Sequence, residues 1–324
     1  MSTPPFIAMP DGVALSGPPS WPAPVIVADP TTVPTAQQVG GRPAAPAHGS
    51  VLLVPGFTGS KEDFIAVLVP LAALGWRVAA MDLPGQAGFP GLGPRGSHTP
   101  AALAEAVLAV LDRHAPDAPV HVVGHSMGGL VTRELVLGAP DRLASWTALC
   151  SGPAALPAPA HGPLAELRDA LAALPIDQVW QLLDARNRAD GWTPPSAEVA
   201  TFLQRRFCSN DPAALADFAG ILMEAPDLTG DLADTLAQNR LPAAIVTGEL
   251  DDAWPVGVQE QMAAHLGVPW HLLAGVGHSP AAENPAMTVA VMHEIFSRPR
   301  TRPAAAEGPQ QQATKPSRSA ASRV

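Results

Sequence analysis

The sequence predicts an α/β fold, a mostly parallel sheet with helices on both faces, on three observations. Short apolar, β-favouring runs alternate with helical patterns of ten to fifteen residues. Strand after strand ends in a Gly- or Pro-bearing turn, as at Pro55-Gly56 and Pro84-Gly85. One stretch, 151–240, breaks the alternation with helical patterns alone, which reads as an insertion into the sheet.

In chain order, residues 1–48 are rich in Pro, Ala and Gly and hold two short extended candidates, Val13 to Leu15 and Val25 to Ala28. They read as an N-terminal arm or an edge hairpin. Val51 to Val54 is a compact apolar strand, Lys61 to Leu74 reads as one helix stopped by Gly75, and Trp76 to Met81 is the next strand. After a loop rich in Gly and Pro, a helix with Pro100 at its first position runs to about His114. Val120 to Val123 leads as a strand into Gly124-His125-Ser126-Met127-Gly128, and a helical run, Leu130 to Leu137, follows at once. Leu143 to Leu149 is a further strand. Helical patterns then occupy 164–174, 176–188, 197–207 and 213–223. Alternation resumes with strand Ala243 to Thr247, helix Val256 to Leu266, strand Pro269 to Leu273 and a last helix, Ala286 to Phe296. The expected division is a core of 49–151 and 241–297, a helical lid of 152–240 over the strand ends where open parallel sheets bind ligands, and a disordered tail of 298–324.

Composition narrows the function. With 324 residues, 47% hydrophobic and 15% charged, the chain can bury a sizeable core. A net charge of −10 argues against nucleic acid and anionic membranes as partners. The first residues lack the basic start and unbroken apolar core of a secretory signal, so a cytoplasmic protein is expected. Cys150 and Cys208 match no metal-ligand spacing and read as buried thiols in a reducing compartment. No metal and no cofactor is expected, and the oligomeric state stays open.

The chemistry centres on Ser126. A bare Gly-x-Ser-x-Gly arises by chance in roughly one chain in ten of this length, so its meaning comes from the strand before it and the helix after it. Together they make a sharp strand-turn-helix with the serine at the apex, a nucleophile elbow, where Gly124 and Gly128 let strand and helix approach. A serine hydroxyl needs a base within hydrogen-bond reach, and the base needs a carboxylate to fix its tautomer. The base belongs on the loop after the last strand, where Gly275-Val276-Gly277-His278-Ser279-Pro280 stands, so His278 is assigned. The acid follows the strand ending at Thr247. In Gly248-Glu249-Leu250-Asp251-Asp252-Ala253-Trp254-Pro255, Asp251 stands three residues after the turn glycine, with Asp252 as the alternative. The oxyanion donors are the backbone N–H groups of Met127, after the nucleophile, and Phe57, on the loop after the first central strand. The Phe57 ring, Met127, Trp254 and Phe89 would line an apolar acyl pocket, and His125 is pocket wall or packing. His98, His114, His161, His265 and His293 read as surface or internally satisfied histidines.

These residues resemble the α/β-hydrolase superfamily over roughly 50–297, through Val54-Pro55-Gly56-Phe57, Asp82-Leu83-Pro84-Gly85-Gln86, Gly124 to Gly129, Gly248 to Pro255 and Gly277-His278-Ser279-Pro280. In many members a His stands at the place of Pro55, and the second motif continues to Gly-x-Ser where this chain has Ala87-Gly88-Phe89. A serine at the elbow sets the chain apart from the dehalogenase and epoxide-hydrolase members. The resemblance implies a serine hydrolase that cleaves a carboxylic ester-type bond of a small, mainly apolar substrate through an acyl-enzyme. The alternatives are an acyltransferase or cofactor-free perhydrolase on the same triad, or a non-catalytic ligand receptor.

Overall fold

Strands whose chain neighbours are helices bury both faces, so their successive residues feed two separate apolar layers. The structure is a computed structural model that describes residues 10–11, 13–16, 25–32 and 48–298. The tail after Arg298 and most of the arm before His48 lie outside the described residues. The strands are β1 (Val13–Ser16), β2 (Val25–Ala28), β3 (Gly49–Val54), β4 (Trp76–Met81), β5 (Val120–His125), β6 (Leu143–Leu149), β7 (Ala243–Gly248) and β8 (Trp270–Leu273). They form one sheet in the order β1-β2-β4-β3-β5-β6-β7-β8. All pairs from β4 to β8 are parallel; β1 with β2, and β2 with β4, are antiparallel. The two short N-terminal segments therefore extend one edge of the sheet, with β2 wholly buried.

The helices are α1 (Ile65–Ala73), α2 (Pro100–His114), α3 (Met127–Gly138), α4 (His161–Ala173), α5 (Ile176–Ala189), α6 (Ala197–Cys208), α7 (Pro212–Glu224), α8 (Thr229–Asn239), α9 (Val256–Leu266), α10 (Pro280–Glu283) and α11 (Pro285–Phe296). Leu52, Val54, Val122, Trp146 and Ile245 point into one layer, with α2, α3, α8 and α9. Val51, Leu53, Val123, Leu149 and Val246 point into the other, with α1 and α11. At roughly 1.5–3 kcal/mol for each large apolar side chain buried, these two layers dominate the stability of the fold.

Two elements depart from the sequence reading. The helix expected over 61–74 begins as a 3-10 turn, Lys61–Phe64, and only then becomes α1. In that turn the Lys61 backbone N–H and ammonium both bond the Asp82 carboxylate, at 2.8 and 2.6 Å, which ties the start of the helix to the end of β4. The lid expected over 152–240 is all-helical, yet α8 packs on α3 and α9 and so stands with the layers of the sheet. The remaining helices, α4 to α7, leave the core at Pro153 and return at Pro226. The buried Arg133 guanidinium of α3 donates to both carbonyls, to Pro226 at 2.9 Å, and so staples entry to exit.

Candidate active site

The elbow forms because α3 must start against the end of β5 with almost no space between them. Ser126 takes φ 55° and ψ −124°, a conformation that L-residues avoid. A Cβ at Gly124 would lie 2.4 Å from the Gly128 carbonyl oxygen, and one at Gly128 would lie 2.6 Å from those of Val54 and Pro55. Only glycine fits at either place. The Ser126 hydroxyl is thereby held at the carboxyl ends of the strands, in the crevice where parallel sheets carry their ligands.

Ser126, His278 and Asp251, separated by up to 152 positions in the chain, meet there. The His278 Nε2 lies 3.0 Å from the Ser126 Oγ, and its Nδ1 lies 2.8 Å from the Asp251 Oδ1. Since a carboxylate only accepts, the proton sits on Nδ1, leaving Nε2 to accept from the serine hydroxyl. The Asp251 carboxylate is fully buried. Burial pushes its pKa up, but the hydrogen bond and charge of His278, the Ala253 N–H and the Gln259 amide outweigh that and hold it below the usual carboxylate range. Asp252, the alternative, is exposed. Among the described residues, Asp251, Asp252 and His278 are the one cluster of donor atoms close enough to hold a metal ion, and two of its three members are joined to each other by the hydrogen bond above.

Three polar side chains to which the sequence reading gave no role hold this arrangement. Gln259, buried on α9, donates from Nε2 to the Asp251 Oδ2 at 2.8 Å and to the Trp254 carbonyl at 3.0 Å, while its Oε1 accepts from Thr247. Glu283 accepts the N–H groups of Gly277 and Ser279, at 2.7 and 2.8 Å, on either side of His278. Gln86, without exposed surface, accepts the Leu83 N–H at 2.9 Å and donates to the Gly56 carbonyl at 2.7 Å. One signal was available for Gln259: it occupies the apolar stripe 259, 262, 263, 266 of its helix as the single polar residue.

Phe57 follows Gly56, which packs directly against Ser126. A Cβ at Gly56 would lie 2.7 Å from the Ser126 Cβ and 3.1 Å from its Oγ. The N–H groups of Phe57 and of Met127, the first residue of α3, have no acceptor among the described residues.

One side-chain expectation is corrected. The Met127 side chain has no exposed surface and is core, because the first turn of α3 aims it into the sheet; only its N–H remains available to a ligand. His125 lies behind the loop that carries His278. Its Nε2–H donates to the His278 carbonyl at 2.7 Å, and its ring lines a cavity of about 50 Å³ with Phe64 and Pro280. Burial, with the charge of His278 adding, lowers its pKa to about 4. Trp254 is buried, packs its ring 6.5 Å from that of His278, and donates to the Ala154 carbonyl. Phe89 is half-buried in the turn 85–89.

Of the two cysteines, Cys150 is buried and Cys208 only half-buried on α6, so the second is no core thiol. Cys150, at φ 48°, accepts from the Gly248 N–H at 3.4 Å and reaches toward the Gly277 carbonyl at 3.8 Å, between the loops that carry Asp251 and His278. A larger cavity of about 350 Å³, bordered by Arg95, His98, Arg168 and Asp217, lies against α4 and α7 and includes none of the three central residues. Among the described residues, no helix is long and apolar enough to cross a membrane.

A model of the Alpha/beta hydrolase family matches residues 51–291. The pimeloyl-[acyl-carrier protein] methyl ester esterase of Methylococcus capsulatus is 27% identical over 261 residues, which cover 76% of this chain and 94% of that protein. Among solved structures, a thermophilic esterase from Thermogutta terrifontis superposes with a TM-score of 0.63 at 21% identity, covering 84% of this chain and 93% of that one. The enol-lactonase from Burkholderia xenovorans LB400 gives 0.62 at 16% identity, covering 78% and 93%.

Proposed function

The chain belongs to the alpha/beta hydrolase family and is an esterase-type hydrolase, and from that premise we propose that it cleaves a carboxylic ester-type bond of a small, mainly apolar substrate through an acyl-enzyme on Ser126. The observation that carries this reading is the unbroken hydrogen-bonded line from the Ser126 hydroxyl through the His278 ring to the buried Asp251 carboxylate. In the first half-reaction His278 Nε2 takes the hydroxyl proton as Oγ adds to the carbonyl carbon. The resulting imidazolium is stabilised by Asp251 and returns the proton to the leaving alkoxide. Water repeats the sequence on the acyl-enzyme, releasing the acid and restoring Ser126. The N–H groups of Phe57 and Met127 would receive the negative oxygen, at roughly 10²–10³ in rate for each donor. An ester is favoured by the esterases among the relatives, and a mainly apolar one by Phe57, half-buried on the loop next to Gly56.

The test is Ser126→Ala assayed on a small p-nitrophenyl ester, with circular dichroism to confirm folding. Turnover is expected to fall by at least about 10³, and labelling by a fluorophosphonate probe to vanish. A variant as active as the parent removes the mechanism.

A further inference from the structure

We propose that Gln86 is a positioning residue for ester cleavage: its side-chain amide holds the Gly56 carbonyl, and so aims the other end of the same peptide, the Phe57 N–H, at the oxygen that becomes negative. The inference rests on the reading of Ser126 as the nucleophile.

A trans peptide is planar, and its C=O and N–H point in opposite directions. Whatever grips the carbonyl of the 56–57 peptide therefore sets the direction of the Phe57 N–H. The Gly56 oxygen is gripped twice, by the Gln86 Nε2–H at 2.7 Å and by the Gly59 N–H at 3.2 Å. The peptide lies hard against the reacting centre, since a Cβ on Gly56 would meet the Ser126 side chain. Its N–H has no acceptor among the described residues, although it lies on a loop where the carbonyl is doubly satisfied. Such a donor, left free beside a nucleophile, is what an oxyanion requires.

Gln86 is itself fixed. It has no exposed surface, and its Oε1 accepts the Leu83 N–H at 2.9 Å, so the amide cannot flip without losing both bonds. The turn that carries it is bent through positive φ at Gly85, Ala87 and Gly88, at 92°, 47° and 83°. Ala87, the L-residue among them, is kept there by its N–H bond to the Asn210 side chain at 3.1 Å. Both an acceptor and a donor are needed at this spacing, which an amide of glutamine length supplies. An ionised glutamate lacks the donor, and methionine lacks the donor and keeps only a weak acceptor.

The experiment compares Gln86→Glu, which keeps shape and the Leu83 bond but loses the donor, with Gln86→Met, which loses both bonds. For each, kcat on a p-nitrophenyl ester is expected to fall about 10- to 100-fold with KM within about twofold. Affinity for a trifluoromethyl ketone, whose serine adduct bears the negative oxygen, should fall in parallel. Affinity for the matching secondary alcohol, which places no charge there, should not move. Glutamine that merely fills a buried gap would change thermal stability and leave that ratio alone. Wild-type kcat and wild-type ketone affinity in both variants would overturn the proposal. So would a crystal structure of the wild-type ketone adduct with its oxyanion beyond hydrogen-bond reach of the Phe57 nitrogen, a measurement that needs no variant to fold. Ser126→Ala is run alongside: if it stays active, the acyl-enzyme reading fails, whereas an inactive Ser126→Ala beside unaffected Gln86 variants removes the present inference only.

Discussion

A buried carboxylate is tolerated when its lone pairs are met, and Asp251 meets three donors, from His278, Ala253 and Gln259. Gln259 is in turn fixed by Thr247, whose hydroxyl accepts the Trp270 indole N–H. Gln259→Leu should therefore leave Oδ2 unpaired and let the carboxylate turn away from the imidazole. The expected result is a fall in kcat of about tenfold with KM little changed, measured by steady-state kinetics on a small ester. Gly56→Ala should cost more, about 10² in kcat, because the added methyl would occupy space against Ser126 itself. At this scale Ser126, Asp251 and His278 were legible because each follows a strand end by a spacing that glycine and proline punctuate. The roles of Gln86, Gln259 and Glu283 were not: their partners are backbone groups or a carboxylate reached through folding, and neither the motif that holds Gln86 nor the apolar stripe that holds Gln259 says what the side chain will face.

Among the elements, the insertion is held at its base and at its rim. Arg133→Met keeps the length of the side chain but strips the Pro153 and Pro226 carbonyls of their donor. It should lower stability by about 2–4 kcal/mol, read from urea denaturation. At the rim, residues 209–211 bond the turn at 85–88: Gly88 N–H to the Ser209 carbonyl at 2.9 Å, Asp211 N–H to the Gly85 carbonyl at 2.8 Å, and Ala87 N–H to the Asn210 side chain. Asn210→Ala should accelerate amide hydrogen exchange at 85–88 without speeding exchange in β5, which localises the effect to the clamp. The helices α4 to α7 were visible in their apolar periodicity. The place of α8 was not, because its short stripe of Leu232 and Leu236 suits a lid and a sheet layer equally well, and only the face it packs against distinguishes them. The split between the 3-10 turn and α1 was hidden for a similar reason, since it depends on Asp82, which is 21 residues away.

For the molecule as a whole, two internal histidines make stability depend on acidity. Burial takes the pKa of both His121 and His125 from 6.5 to about 4. Between those values the unfolded chain binds protons that the folded one refuses, so the contribution is complete above pH 6.5 and is lost as pH falls toward 4. It amounts to up to about 3 kcal/mol for each histidine. Asp251, lowered from 3.8, acts in the same direction further down, being lost as pH falls below that value. Urea midpoints at pH 7, 5.5 and 4.5 should decline in that order, and His121→Gln should flatten the slope. The parallel sheet and its two layers were legible in the alternation of the chain. The order of the strands was not, nor was the antiparallel edge, since four-residue segments such as β1 and β2 declare a strand but not a neighbour. Cys150 turns that architecture into its own reporter. Its thiol is kept protonated by burial between the loops of β7 and β8, whereas Cys208 stands half-open on the insertion. Iodoacetamide should alkylate the native chain once, at Cys208, and a second adduct should accumulate only as fast as those two loops part, so that the rate of double alkylation clocks, from inside, the opening of the sheet edge that carries Asp251 and His278.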